Sequence, residues 1–87
     1  MRIDLFLKLM GVVKTRMAAK RLCDAGRVLI SPTPLKPSFE LQGGEVLLIH
    51  LPMREIQLKV TGLPSGKSVA KADRCRFVEF LSVREIK

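Results

Sequence analysis

The chain has 87 residues, 47% of them apolar, and carries sixteen Lys and Arg against eight Asp and Glu, a formal net charge of +8. That length can bury one modest core and no more, and the apolar content with regular turn signals excludes a compositionally disordered chain. Cys23 and Cys75 cannot make a disulfide framework, and Arg2, Asp4 and Lys8 break up the N-terminal apolar residues, so neither a signal-peptide core nor a membrane span forms there; reduced thiols and a cytoplasmic location are expected.

Ile3, Phe6, Leu7 and Met10 recur at helical spacing, which predicts an amphipathic helix over 3–10 with Arg2, Asp4 and Lys8 toward its other side. Gly11 ends it, since glycine tolerates the left-handed conformation at that position, and Val12 to Lys14 connect. Thr15 is the expected N-cap of a second helix, Arg16 to Ala25, closed by Gly26. On that helix Ala18, Leu22 and Ala25 share an inner arc flanked by Ala19, while Arg16 and Lys20 lie nearly opposite and stay free for a partner.

Arg27 to Ser31 then reads as a short strand, and Pro32-Thr33-Pro34 as a loop longer than a tight hairpin turn. Gly43-Gly44-Glu45 is a second turn, followed by strands over Val46 to Leu51, Ile56 to Gly62 and Arg76 to Leu81. Pro64 to Asp73 is a polar, flexible connection with one helical turn near Val69 to Ala72, which leaves Cys75 at the start of the last strand. No repeat or linker divides the chain, so residues 1–87 form a single domain, with 1–50 as its core motif and 51–87 adding strands and a loop. The fold class is α+β: two short N-terminal helices on a small, mainly antiparallel sheet.

Charge is concentrated at one end. Residues 1–36 hold eight Lys and Arg against Asp4 and Asp24, a net +6, whereas the rest of the chain nets only +2. A field this localised marks a polyanion-binding face, and Arg2, Lys8, Lys14, Arg16, Lys20, Arg27 and Lys36 are its candidate residues. Arg suits the task because its planar guanidinium grips phosphate through two donors, whereas Lys acts as a point charge. There is no Trp or Tyr, and the four Phe sit in core-like patterns, so recognition should rest on phosphate, ribose and RNA shape rather than base stacking.

No catalytic or metal constellation emerges. Gly62-Leu-Pro-Ser-Gly66-Lys67-Ser68 suggests a phosphate-binding P-loop but has three residues between its glycines where four are needed. His50 is the only histidine and has no companion ligands. Asp4 has no evident catalytic partner and reads as a helix-face residue beside Arg2 and Lys8. The chain is therefore read as a binder without cofactors, not an enzyme.

Taken together, Arg2-Ile-Asp4-Leu-Phe6-Leu7-Lys8, Lys14-Thr15-Arg16, Ala18-Ala19-Lys20 with Leu22, Gly26-Arg27-Val28, Lys36-Pro37 and Gly44-Glu45 resemble the RNA-binding domain named after small-subunit ribosomal protein S-four, whose alpha-L motif they follow over about the first 50 residues. The turn residues depart from the usual pattern: Ser31-Pro32-Thr33-Pro34 stands where Asn-Gly is common, and Gly44-Glu45 where Gly-Asp is. Because the domain starts at residue 2 and nothing catalytic follows, the likeness is to the small free-standing members, the groups of heat-shock protein fifteen and of ribosome-associated quality-control factor P. That resemblance implies docking, as a monomer, on structured rRNA of the large ribosomal subunit, with tRNA as a further contact, in stalled-ribosome rescue or nascent-chain quality control. Two other readings stay open: a module that holds an acidic protein on the same basic face, and a regulatory or assembly factor acting on free rRNA or mRNA.

Overall fold

Two glycines decide where the helices stop. In the computed structural model, which describes residues 1–66 and 68–85, α1 spans Ile3–Leu9 and α2 spans Arg16–Asp24. Gly11 and Gly26 follow with φ of 74° and 73°. After α1, the Gly11 N–H donates to the Lys8 carbonyl and the Val12 N–H to that of Leu7; after α2, Gly26 and Arg27 repeat the pattern on Cys23 and Leu22. Both ends are thus Schellman closures, in which a left-handed residue lets two amides satisfy the last helical carbonyls. Each helix ends one residue earlier than the periodicity predicts.

Five strands follow: β1 (Val28–Ile30), β2 (Thr33–Pro34), β3 (Val46–Leu51), β4 (Arg54–Val60) and β5 (Val78–Glu85), with a 3₁₀ helix over Lys71–Arg76 before the last. They form one antiparallel sheet in the order β2-β1-β3-β4-β5. Alternation puts Leu47, Ile49, Ile56, Leu58 and Val60 on the buried face, against Ile3, Phe6 and Leu7 of α1. The α+β architecture agrees with the sequence reading.

Several local expectations are corrected. Ile30 pairs with Thr33, so Ser31-Pro32, joined by a cis peptide, is a two-residue reversal rather than a longer loop. Pro34 is accommodated because β2 is an edge strand, where a missing N–H costs no ladder bond. Leu51 pairs with Arg54, so β4 begins two residues before Ile56 at a tight Pro52-Met53 turn. The helical turn falls on Lys71–Arg76, which moves Cys75 into it and delays the last strand to Val78. On α2 the buried residues are Ala19 and Cys23, while Ala18 and Leu22 are half-buried and Ala25 is exposed. The inner face is therefore rotated one residue from the expected arc, bringing its smallest four-residue pair inward. Phe80 is half exposed rather than core. In the Gly-Lys-Ser stretch, Lys67 lies outside the described residues.

Arg74 ties the C-terminal segment back to α1. Its Nε donates to the Leu9 carbonyl at 3.1 Å, placing a cation at a helix C-terminus, where it is favourable. A Cβ added at Gly11 would meet this guanidinium. Gly11→Ala is expected to cost about 1–2 kcal/mol, from the left-handed backbone and the displaced Arg74 together. In an Arg74→Ala background urea denaturation should show that cost reduced to the backbone part; an unchanged cost would mean Arg74 does not press on Gly11.

Candidate nucleic-acid interface

The first turn of α1 is capped by chain rather than by a side chain. Arg2, its N-cap residue, makes no side-chain cap bond; instead the Ile3 N–H donates to the Phe39 carbonyl at 2.9 Å and the Asp4 N–H to that of Pro37 at 3.3 Å. The Arg2 and Glu40 backbones form an isolated antiparallel β-bridge, and the Leu41 N–H donates to the Met1 carbonyl. The segment before β3 therefore clamps residues 1–4, satisfying amides that a helix start leaves open.

Asp4 occupies the centre of this junction. Its side chain is only 4% exposed; Oδ2 lies 3.1 Å from a terminal nitrogen of Arg2 and 3.4 Å from Nε of Arg16, and Oδ1 accepts from the Leu5 N–H at 2.8 Å. A buried carboxylate is tolerated only with such partners. The two arginines are about half exposed, and each guanidinium has five N–H donors. Asp4 engages one nitrogen of each, and the remaining donors sit on side chains that are about half exposed.

Arg16 is set by the cap of α2: Thr15 Oγ1 accepts from the Ala18 N–H at 3.0 Å, so Arg16 opens the helix. Lys20, one turn on, shares its face. Arg2, Asp4, Arg16, Met17 and Lys20 line one open hollow of about 300 Å³. The positive end of the α2 dipole adds to these cations. An anion such as phosphate fits the hollow by charge and by donor geometry.

Of the seven residues singled out in the sequence, the structure brings three, Arg2, Arg16 and Lys20, around this hollow. Lys8, Lys14, Arg27 and Lys36 are exposed but do not line it. Lys8 follows Asp4 by one helical turn; Lys14 precedes the Thr15 cap; Lys36 adjoins the Pro37 that receives the Asp4 amide; Arg27 starts the run into β1, its carbonyl accepting the His50 N–H at 2.8 Å. Sequence reasoning missed Asp4 as an organiser and the exposed Met17 as an apolar lining residue. The available signal was an acid in the first turn of a helix whose neighbours are otherwise apolar or basic.

The S4 domain family matches residues 1–47 of the chain. The chain is similar to proteins named RQC P-site tRNA stabilizing factor: that of Helicobacter pylori (strain J99) at 34% identity over 84% of this chain and 87% of the relative, and that of Bacillus subtilis at 32% over 72% and 73%. The relative in Streptococcus pneumoniae is 29% identical over 94% of this chain and 91% of its own. Among solved structures, Vibrio cholerae Heat Shock Protein 15, described as trimeric, superposes with a TM-score of 0.84 at 17% identity, covering 94% of this chain and 82% of that one, and so shares the fold.

On α2, burial pushes the Cys23 thiol up to about 11, and the negative charges of Asp4 and Asp24 push in the same direction. Cys23 is protonated and inert at neutral pH. An unfolded chain would release that proton near pH 9 while the folded chain keeps it, so the folded state binds more protons between about pH 9 and 11 and stability falls across that window. The expected loss is at most about 2–3 kcal/mol. Denaturation measured from pH 8 to 11 should show this decline in the parent protein and its absence in Cys23→Ala; an equal slope in both would place the effect elsewhere.

Proposed function

The chain belongs to the S4 domain family, and from that premise we propose that it is an RNA-binding protein of ribosome quality control that docks on structured rRNA of the large subunit and steadies a P-site tRNA. The observation that carries this reading is the Asp4 carboxylate holding Arg2 and Arg16 half exposed beside Lys20, all within the family-matched segment. The names of the relatives, RQC P-site tRNA stabilizing factor, support the choice of tRNA and of the quality-control setting.

Mechanistically, α1 and α2 present preoriented guanidiniums to the phosphate backbone, and the fixed spacing of Arg2, Arg16 and Lys20 selects RNA whose phosphates match it. Lys8, Lys14, Arg27 and Lys36 extend the positive field around the hollow and steer association. Stacking contributes little: Phe6 is buried, Phe39 and Phe77 are half-buried, and Phe80 stands on β5. The site holds phosphate without acting on it, so the protein is a binder and not an enzyme. One chain supplies the whole hollow, so a monomer suffices for RNA binding. A role on the ribosome supports a cytoplasmic location; among the described residues no helix is long and apolar enough to cross a membrane.

If about five phosphates are neutralised, the logarithm of affinity should fall with log salt at a slope of roughly −3 to −5; a salt-independent affinity contradicts electrostatic docking. Arg16→Glu and Arg27→Glu should each reduce co-sedimentation with large ribosomal subunits, and nuclease treatment should abolish it. Binding that survives both would assign the basic face to an acidic protein instead. Crosslinking with sequencing of the bound RNA should return large-subunit rRNA and tRNA; free rRNA precursors or mRNA would support the regulatory or assembly reading.

A further inference from the structure

The helices do not cover the whole sheet. Cross-strand register puts Val78, Phe80 and Val83 of β5 on the same face as Val60, Leu58 and Ile56 of β4. On β4 that face is buried, Leu58 and Val60 being fully enclosed, yet Phe80 and Val83 are each 52% exposed, and Leu81, at the β-bulge between them, is 46% exposed. Phe80 and Val83 border an open apolar groove of about 290 Å³ that reaches Met10, Val12 and Leu51. In addition, β5 is an outer strand of the sheet, paired among the described residues only with β4, so its other edge presents amides and carbonyls without a strand partner there.

The residue order of β5 specifies what can add there. Read as Glu79-Phe80-Leu81-Ser82-Val83-Arg84, the strand is self-complementary when reversed. If two copies lie antiparallel about a two-fold axis between Leu81 and Ser82, Glu79 of one faces Arg84 of the other on the solvent side, and Phe80 faces Val83 on the apolar side. The faces remain matched because Glu79 and Arg84 both lie opposite polar partners of β4, Lys59 and Glu55, whereas Phe80 and Val83 both lie opposite apolar ones. Neither Glu79 nor Arg84 forms a salt bridge among the described residues. An isologous contact repeats each pair twice, so one strand supplies two opposite-charge pairs and two apolar pairs.

We propose that free protein self-associates through β5, the edge strands of two copies pairing antiparallel in the Glu79-to-Arg84 register to make one continuous sheet. The contact uses neither α1 nor α2, so it stands independently of the RNA reading and leaves the Arg2–Arg16 hollow of both copies open.

The test is sedimentation velocity of the full chain, without RNA, over a concentration series. The parent protein should shift from one copy to two. Glu79→Arg and Arg84→Glu each place like charges opposite one another and should weaken association about tenfold or more. An equimolar mixture should regain it, because in the mixed pair both arginines of the Glu79→Arg copy face glutamates of the Arg84→Glu copy. Circular dichroism melts establish that each variant is folded. Should either fail to fold, hydrogen exchange of the parent protein decides: outward-facing β5 amides should gain protection with concentration while those of β2 do not. A parent that remains one copy throughout, an assembly other than two, folded variants whose mixture stays apart, or β5 amides indifferent to concentration would each overturn the proposal.

Discussion

A carboxylate removed from water has to be surrounded by donors and cations, and Asp4 imposes that requirement on the entire N-terminal half. Its two oxygens gather Arg2, Arg16 and the Leu5 amide, which fixes α2 against the start of α1 by charge as well as by packing. Removing either arginine would leave the carboxylate under-compensated at a buried site, a larger penalty than a surface ion pair carries. The arginines gain nothing comparable from solvent alone. Their conformations are set before any ligand arrives, and less entropy is lost on binding than with two free side chains.

The remainder of the fold makes that junction possible. Helices of seven and nine residues are too short to persist alone. They are held by what closes them: the 37–39 carbonyls at the start of α1, the Thr15 hydroxyl at the start of α2, and left-handed glycines at both ends. Glu45 serves the same purpose at the turn into β3, its carboxylate accepting the Gln42 and Gly43 amides at 2.6 and 2.7 Å. At the opposite end, the Arg74 guanidinium ties the 3₁₀ helix to the Leu9 carbonyl of α1, while Phe80 and Val83 of β5 stay half exposed beyond it. The same geometry therefore yields a rigid basic corner and an apolar overhang.

Local signals were legible where a single residue type dictates backbone geometry. Gly11, Gly26 and Thr15 marked the helix limits to within a residue, β-branched alternation located β1, and an apolar run of strand length located β3. Boundaries set by pairing were harder to read: Arg54 belongs to β4 because it opposes Leu51, and Val78 begins β5 because it opposes Val60, neither of which is encoded by its immediate neighbours. The inner face of α2 was misread for a related reason, since Ala18 and Ala19 are equally small and only the packed partner chooses between them. In the basic segment, composition identified the charges, but the hollow is assembled by a residue of opposite sign. Counting cations finds Arg2, Arg16 and Lys20; it cannot find the Asp4 that arranges them.

This arrangement separates a preorganised site from a diffuse positive surface through one measurement, the affinity of Asp4→Asn for large-subunit RNA at fixed salt, with folding verified by circular dichroism. The substitution makes the protein more positive, so on a diffuse surface it would tighten binding. If Asp4 holds Arg2 and Arg16 in place, binding should instead weaken by about tenfold, the loss of one charge-assisted orienting contact. An unchanged or higher affinity in the folded variant would contradict the account.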